Sequence, residues 1–145
     1  MAAHQLTLSV PTTPSAVASA RHQAMDEIQS WDAELDDEVV HTAELVISEL
    51  VTNAVRYASG GQVSLEVRLN ESAVHIEVLD CSPVLPYPSL PDQRSENGRG
   101  LFLVAALADR YAAESTPTGK RCWAEIALPV GPAPQTSFSP PLQRS

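Results

Sequence analysis

Two polar residues inside an apolar helical pattern carry the first chemical suggestion: Glu49 and Asn53, four residues apart in Ala43–Ala58, AELVISELVTNAVRYA. Over that stretch Ala43, Ile47, Leu50, Ala54 and Tyr57 recur every three or four residues, and Val46 widens the stripe. The spacing predicts a helix with one buried face. Glu49 and Asn53 then lie one turn apart on the same side, beside the stripe, where a helix on a sheet borders a crevice. A carboxylate there can take a proton from an attacking nucleophile, and an amide oxygen suits an octahedral Mg2+ that carries substrate phosphates. The plain alternative is an exposed pair that supports the helix by about a few tenths of a kcal/mol.

Parity singles out a second carboxylate. Val63, Leu65, Val67, Leu69 and then Val74, Ile76, Val78 alternate as two strands, with Asn70-Glu71 between them as a tight turn. Asp80 continues the apolar series of the second strand, which aims it at the covered side, where it needs a donor from protein or ligand. The other reading is that the strand has ended and Asp80 starts a turn. A third feature is Gly98-Arg99-Gly100, entering the amphipathic pattern of Leu101, Val104, Leu107 and Ala108. Glycines at a helix entry let backbone N–H groups approach a phosphate, although loops also hold glycine for turning alone.

The remaining elements position these three. His4–Val10 alternates as a short strand stopped by Pro11 and Pro14, and Ser15 is set to cap a helix over Ala16–Ser30. Val17, Ala20, Ala24 and Ile28 form its buried stripe, and Trp31 folds over its end. The acidic run Asp32–Glu38 leads into the central helix at the end where the dipole favours negative charge. Ser59-Gly60-Gly61 ends that helix. Cys81–Asn97, with four prolines, fits neither periodicity and reads as a long functional or mobile loop. Tyr111–Ser115 and Cys122–Leu128 predict a second hairpin about Thr118-Gly119, with Cys122, Ala124, Ile126 and Leu128 on one face and Trp123 and Glu125 on the other. Trp123 is expected to be exposed as a protein contact or covered by the tail. A strand, two helices, a hairpin, a lid, a third helix and a second hairpin make an α+β two-layer sandwich, its sheet mixed or antiparallel, with helices on one face. Residues 1–130 form one domain, and 131–145, rich in Pro and Ser, form a disordered tail.

Composition narrows the partners. The chain of 145 residues is 43% hydrophobic and carries 18 acidic against 9 basic side chains, a net charge of −9. That sign disfavours nucleic acid and anionic membrane, so the expected partner is a protein or a small molecule. A nucleotide would be held by local donors or a metal against the overall field. No apolar run approaches membrane-spanning length, and the N-terminus lacks the apolar core of a signal peptide. Cys81 and Cys122 show neither metal-ligand spacing nor a disulfide framework, so the expectation is a cytoplasmic protein with free thiols. His22 and His41 read as surface or satisfied histidines.

Taken together, ELVTNAVRYA, VLDCSP and NGRGLFLV occur in the order seen in the GHKL ATPase and kinase superfamily, which the chain resembles from Leu6 to Leu128. The likeness is greatest to its small anti-sigma-factor serine/threonine kinases and similar stand-alone ATP-binding regulators. The resemblance implies a Bergerat-type ATP-binding fold. Glu49 would take the place of the general base and Asn53 that of the Mg2+ ligand. Asp80 would accept a hydrogen bond from the adenine amino group. Gly98, Arg99, Gly100 and Leu101 would belong to the phosphate-binding glycine box, and Pro83–Asn97 to an ATP lid from which Arg94 or Arg99 reaches phosphate. GKRCWAEIAL resembles the strand that closes the adenine side. Cys81-Ser82-Pro83 replaces the glycines of many members, Arg121 stands where a small hydroxyl residue is usual, and the lid is short.

Two functions follow from that resemblance. One is a kinase that uses Mg-ATP to phosphorylate a protein antagonist while otherwise binding a sigma factor. The other is a nucleotide-dependent interaction module with little or no phosphoryl transfer. The expected ligands are ATP and Mg2+. The expected partners are a sigma factor or an anti-anti-sigma-like antagonist, with a homodimer among the assemblies allowed.

Overall fold

Alternating apolar residues in His4–Val10 form strand β1, the first element of a computed structural model that describes residues 4–31, 35–57, 61–81 and 103–129. Helix α1 follows over Pro14–Ser30 and α2 over Asp37–Tyr57. Strands β2 and β3 cover Val63–Leu69 and Ala73–Asp80, and β4 and β5 cover Arg110–Thr116 and Gly119–Ala127. A short helical stretch, α3, lies over residues 103–107. The strands form one sheet in the order β1-β2-β3-β5-β4, and every neighbouring pair is antiparallel. The expected α+β sandwich is present, and its sheet is antiparallel rather than mixed.

Local chemistry explains the boundaries. Helix α1 starts two residues before the expected Ala16, with extended Thr13 at its N-cap and Pro14 at its first turn. Proline has the right φ for that position and no N–H to leave unpaired, so Ser15 lies inside the helix rather than capping it. The Thr13 side chain makes no capping bond, and the Ala16 amide donates to the Thr13 carbonyl at 3.1 Å. Trp31 closes the other end: its N–H donates to the Ile28 carbonyl at 3.2 Å, and its indole stacks on His4 at 5.2 Å. Helix α2 opens on Asp36, whose carboxylate accepts from the Glu38 amide at 3.2 Å. Asp37 and Glu38 then put negative charge on its first turn.

The β2–β3 turn works although Asn-Glu lacks the glycine that favours such turns. The Asn70 side-chain oxygen accepts from the Ser72 and Ala73 amides at 2.8 and 3.0 Å, which substitutes side-chain bonding for backbone freedom. The second hairpin turns at Pro117-Thr118, because Thr116 already pairs with Gly119. Strand β5 therefore begins three residues earlier than its apolar alternation indicates, and that shift matters at the site.

The core lies between the inner sheet face and the helices. Ala20, Ala24 and Ile28 of α1, Ala43, Val46, Ile47, Leu50, Val51 and Ala54 of α2, and Val104 of α3 are buried there against the sheet. The open face is polar and tied together by ions. His75 bridges two carboxylates, with Nε2 at 3.0 Å from Glu77 and Nδ1 at 3.0 Å from Glu125. Arg68 and Arg121 flank the buried Glu77 at 3.8 and 3.7 Å. Trp123 is half-buried rather than exposed: it stacks on His75 at 5.5 Å, and the Arg110 guanidinium lies 5.5 Å above its ring. Its shielding comes from neighbours on the sheet. The expected tail over 131–145 lies outside the described residues. Among those described, no helix is long and apolar enough to cross a membrane.

Candidate functional site

The apolar stripe of α2 borders Glu49 and Asn53, which lie one turn apart on that helix. Asn53 is buried, at 7% exposure, and Glu49 is half-buried one turn before it. An exposed helix-supporting pair does not fit that burial. Burial pushes the Glu49 carboxyl above its ordinary value of 4.5, and the positive Arg56 offsets part of the effect. A partly desolvated carboxylate holds a proton more readily than one in water, a property suited to an acceptor of protons.

Strand β3 runs through Asp80, so of the two readings of this residue the strand continues. Asp80 follows Val74, Ile76 and Val78 onto the helix-covered face, and α2 packs against both β3 and β5. Its carboxylate meets a partner that the sequence reading overlooked. Lys120 is the register partner of Asp80 across β3 and β5, and it is 1% exposed. Lys120 Nζ donates to Asp80 Oδ1 at 3.1 Å and makes an ion-pair contact with Oδ2 at 2.9 Å. Both side chains are 1% exposed. The same parity that places Asp80 would have found Lys120, two residues before Cys122, had β5 been started at Gly119.

Gly119 makes this meeting possible. A Cβ at that position would lie 1.9 Å from the Asp80 carbonyl oxygen and 2.6 Å from Cys81 Cα. Only glycine lets the start of β5 come so close to the end of β3. Arg121 faces the other way. It donates to Glu114 at 2.7 Å on the open face. Cys122 shares the face of Lys120 and is buried, which raises its thiol to about 11.

Gly98, Arg99, Gly100 and Leu101 lie outside the described residues, as do Arg94 and the expected lid over 83–97. Two grooves of about 510 and 350 Å³ lie between β1 and α1, lined in part by Leu8 and Gln23. Neither includes Glu49, Asn53 or Asp80, and the chemistry of the site does not extend to them. Among the described residues, no cluster of three or more His, Cys, Asp or Glu side chains is built to hold a metal ion. One neutral amide oxygen, that of Asn53, is a suitable protein ligand for a Mg2+ that would arrive with phosphate oxygens and water.

The site thus combines a half-buried carboxylate and a buried amide on one helix with a buried, charge-paired carboxylate on the strand beneath it. A search of curated proteins gave no match. Among solved structures, the crystal structure of the RsbU and RsbW domains of Rv1364c from Mycobacterium tuberculosis is similar, with a TM-score of 0.65 at 20% identity. The alignment covers 86% of this chain and 32% of that one, and at such identity the likeness is one of fold. The sequence profile of the histidine kinase-like ATPase domain matches residues 10–126, a span that contains all five strands except the first six residues of β1 and the last residue of β5. The chain belongs to the histidine kinase-like ATPase domain family.

Proposed function

We propose that this domain is an ATP-binding regulator that transfers phosphate from Mg-ATP to a serine or threonine of a protein antagonist. The observation that carries the reading is a buried Asn53 one turn from a half-buried Glu49 on the helix that packs over the strand ending in Asp80. Family membership over residues 10–126 supports ATP as the nucleotide.

In this reading Asp80 accepts from the adenine amino group, and Asn53 contributes an amide oxygen to Mg2+. Mg2+, when bound, supplies charge neutralisation for the phosphate oxygens. Glu49 accepts the proton of the attacking hydroxyl, a task helped by the partial desolvation that raises its proton affinity. Gly98, Arg99, Gly100 and Leu101 are proposed to cradle phosphate through backbone N–H groups at a helix entry. The proposed partners are a sigma factor and an anti-anti-sigma-like antagonist, and the solved structure of similar fold contains an RsbW domain beside an RsbU domain.

The test is an ATP titration with and without Mg2+, followed by recovery of bound proteins in each state and labelled-phosphate transfer to them. Binding that depends on Mg2+ together with transfer supports the kinase. Binding without transfer leaves the nucleotide-dependent interaction module, and absence of ATP binding ends both readings.

A further inference from the structure

The two edges of the sheet differ. Strand β4 forms one of them and carries Arg110 and Glu114, each ion-paired to β5 through Glu125 and Arg121. Such charges blunt an edge against pairing with another chain. Strand β1, HQLTLSV, forms the other edge and has no Asp, Glu, Lys, Arg or Pro in it. Its seven residues pair with β2 one to one from His4 to Val10, so no bulge twists the edge away. In an antiparallel pair every second residue turns its N–H and C=O away from the neighbouring strand, and no described strand meets those of β1. Gln5 and Ser9 donate to Glu66 and Gln62, which draws their side chains toward β2 rather than across the edge.

Beside this edge runs a trough. The two grooves between β1 and α1 share Leu8 and Gln23, so they follow one another along the strand. Half-buried Leu8 lies on the β1 side, and Gln23, Asp26 and Glu27, three to four residues apart on α1, are exposed on the helix side. The described lining residues include two carboxylates and no basic side chain.

We propose that β1 and α1 form a docking groove for an extended, basic segment of a partner protein, which joins the sheet as an added strand. Backbone bonds to β1 supply affinity, and alternate side chains supply specificity. On the face turned to α1, an apolar residue of the segment meets Leu8, and a Lys or Arg two positions away meets Asp26 and Glu27. Charge argues for a basic partner over a second copy. The net charge of −9 on each copy opposes their approach, and β1 brings no Lys or Arg to face the two carboxylates. The groove contains none of Glu49, Asn53 and Asp80, so docking there is separate from the nucleotide site.

The experiment titrates the isotopically labelled full chain with a synthetic peptide of about eight residues, in which threonine alternates with valine and lysine, and follows the backbone amide resonances. Saturable binding is expected, with shifts along β1 and along the facing line of α1. Reversing the charge with Asp26→Lys and Glu27→Lys together should weaken binding about tenfold at low salt, and the loss should shrink as salt rises. Both residues are exposed, so the variant should melt with wild type. A peptide with glutamate in place of lysine should bind about tenfold more weakly or less. Two further peptides, N-methylated on the odd or on the even residues, test strand pairing, since only the set that faces β1 should lose binding. Absence of binding, equal binding of the lysine and glutamate peptides, full binding by both methylated peptides, or shifts that avoid β1 each overturn the proposal. So does concentration-dependent association of the chain through β1 without peptide, which gives the edge to a second copy.

Discussion

Asp80 and Lys120 face each other across β3 and β5 as register partners, and their side chains meet on the covered side of the sheet with an Nζ to Oδ2 distance of 2.9 Å. A pair so deeply buried gives little net stability, because removing both charges from water offsets most of their attraction. Breaking it is costly. Removal of the lysine charge alone takes a buried partner from the carboxylate, and the expected loss is about 3–5 kcal/mol, whereas replacing both residues with apolar side chains of similar volume should cost little. A double-mutant cycle in urea, with Lys120→Met, Asp80→Leu and the combined variant, measures the difference. Additive losses would show that the two side chains are not coupled.

Gly119 makes a separate and purely steric prediction. The contacts that a Cβ would make, 1.9 and 2.6 Å, are with backbone atoms of Asp80 and Cys81, which cannot rotate away. Gly119→Ala should destabilise the domain by about 1–3 kcal/mol or more, because β5 must separate from the end of β3. Chemical denaturation measures it, and a midpoint equal to that of wild type would refute the close approach.

The two thiols should behave as opposites. Cys81 is exposed, whereas Cys122 is buried among core side chains that push its thiol up to about 11. The thiolate is the reactive form, so Cys122 is protected both by access and by protonation. At pH 8 a chromogenic thiol reagent should titrate one cysteine rapidly in the native protein and the second only after denaturation. Rapid modification of both would contradict the register that places Cys122 inside.

Much of this organisation is legible in the residue pattern, and the exceptions have physical causes. The stripe of α2 is a strong period-3.6 signal, and Ala43, Val46, Ile47, Leu50 and Ala54 lie among the buried core residues. Parity carried Asp80 to the correct face, because Val74, Ile76 and Val78 leave no ambiguity about which side is covered. Lys120 escaped notice because a lysine at the start of a strand ordinarily marks a solvated end. Nothing local announces that a carboxylate from another strand lies opposite. Trp123 misled for the same reason: Arg110 and His75, which shield it, come from β4 and β3. Asn70 shows the converse, since its side-chain bonds within the turn are local and compensate for the missing glycine.

Glu49 yields a prediction with a defined sign. Its folded-state value is raised above 4.5, chiefly by burial. Folding is therefore favoured most when Glu49 is protonated in both states, below 4.5, and that contribution is lost as pH rises through the folded-state value. Glu49→Gln should accordingly melt at or slightly above the wild-type temperature at pH 7, with the difference vanishing toward pH 4. If Glu49 is the base, the same variant should bind ATP nearly normally yet transfer phosphate about 100- to 10,000-fold more slowly. Melting curves at the two pH values and a labelled-phosphate assay test the two statements independently. A helix-supporting role would instead lower the melting temperature and leave transfer unchanged.

Asn53 separates metal binding from simple packing. It is one of the few buried polar side chains among the described residues, and it lies one turn beyond Glu49 on the same helix. An amide oxygen there can take one position around a Mg2+ whose other ligands are phosphate oxygens and water. Asn53→Ala removes that ligand, so its cost should appear only when the metal is present. Calorimetric titration of ATP with Mg2+ should show an affinity lower than wild type by about tenfold, the equivalent of about 1.4 kcal/mol, with much less difference when the metal is chelated. Asn53→Asp supplies the control, because it keeps an oxygen of nearly the same reach and should recover metal-dependent binding better than alanine does. Equal Mg-ATP affinity in wild type and Asn53→Ala would reject the metal role and return Asn53 to the helix–sheet packing. A loss that is the same with and without Mg2+ would instead assign the residue to the shape of the pocket.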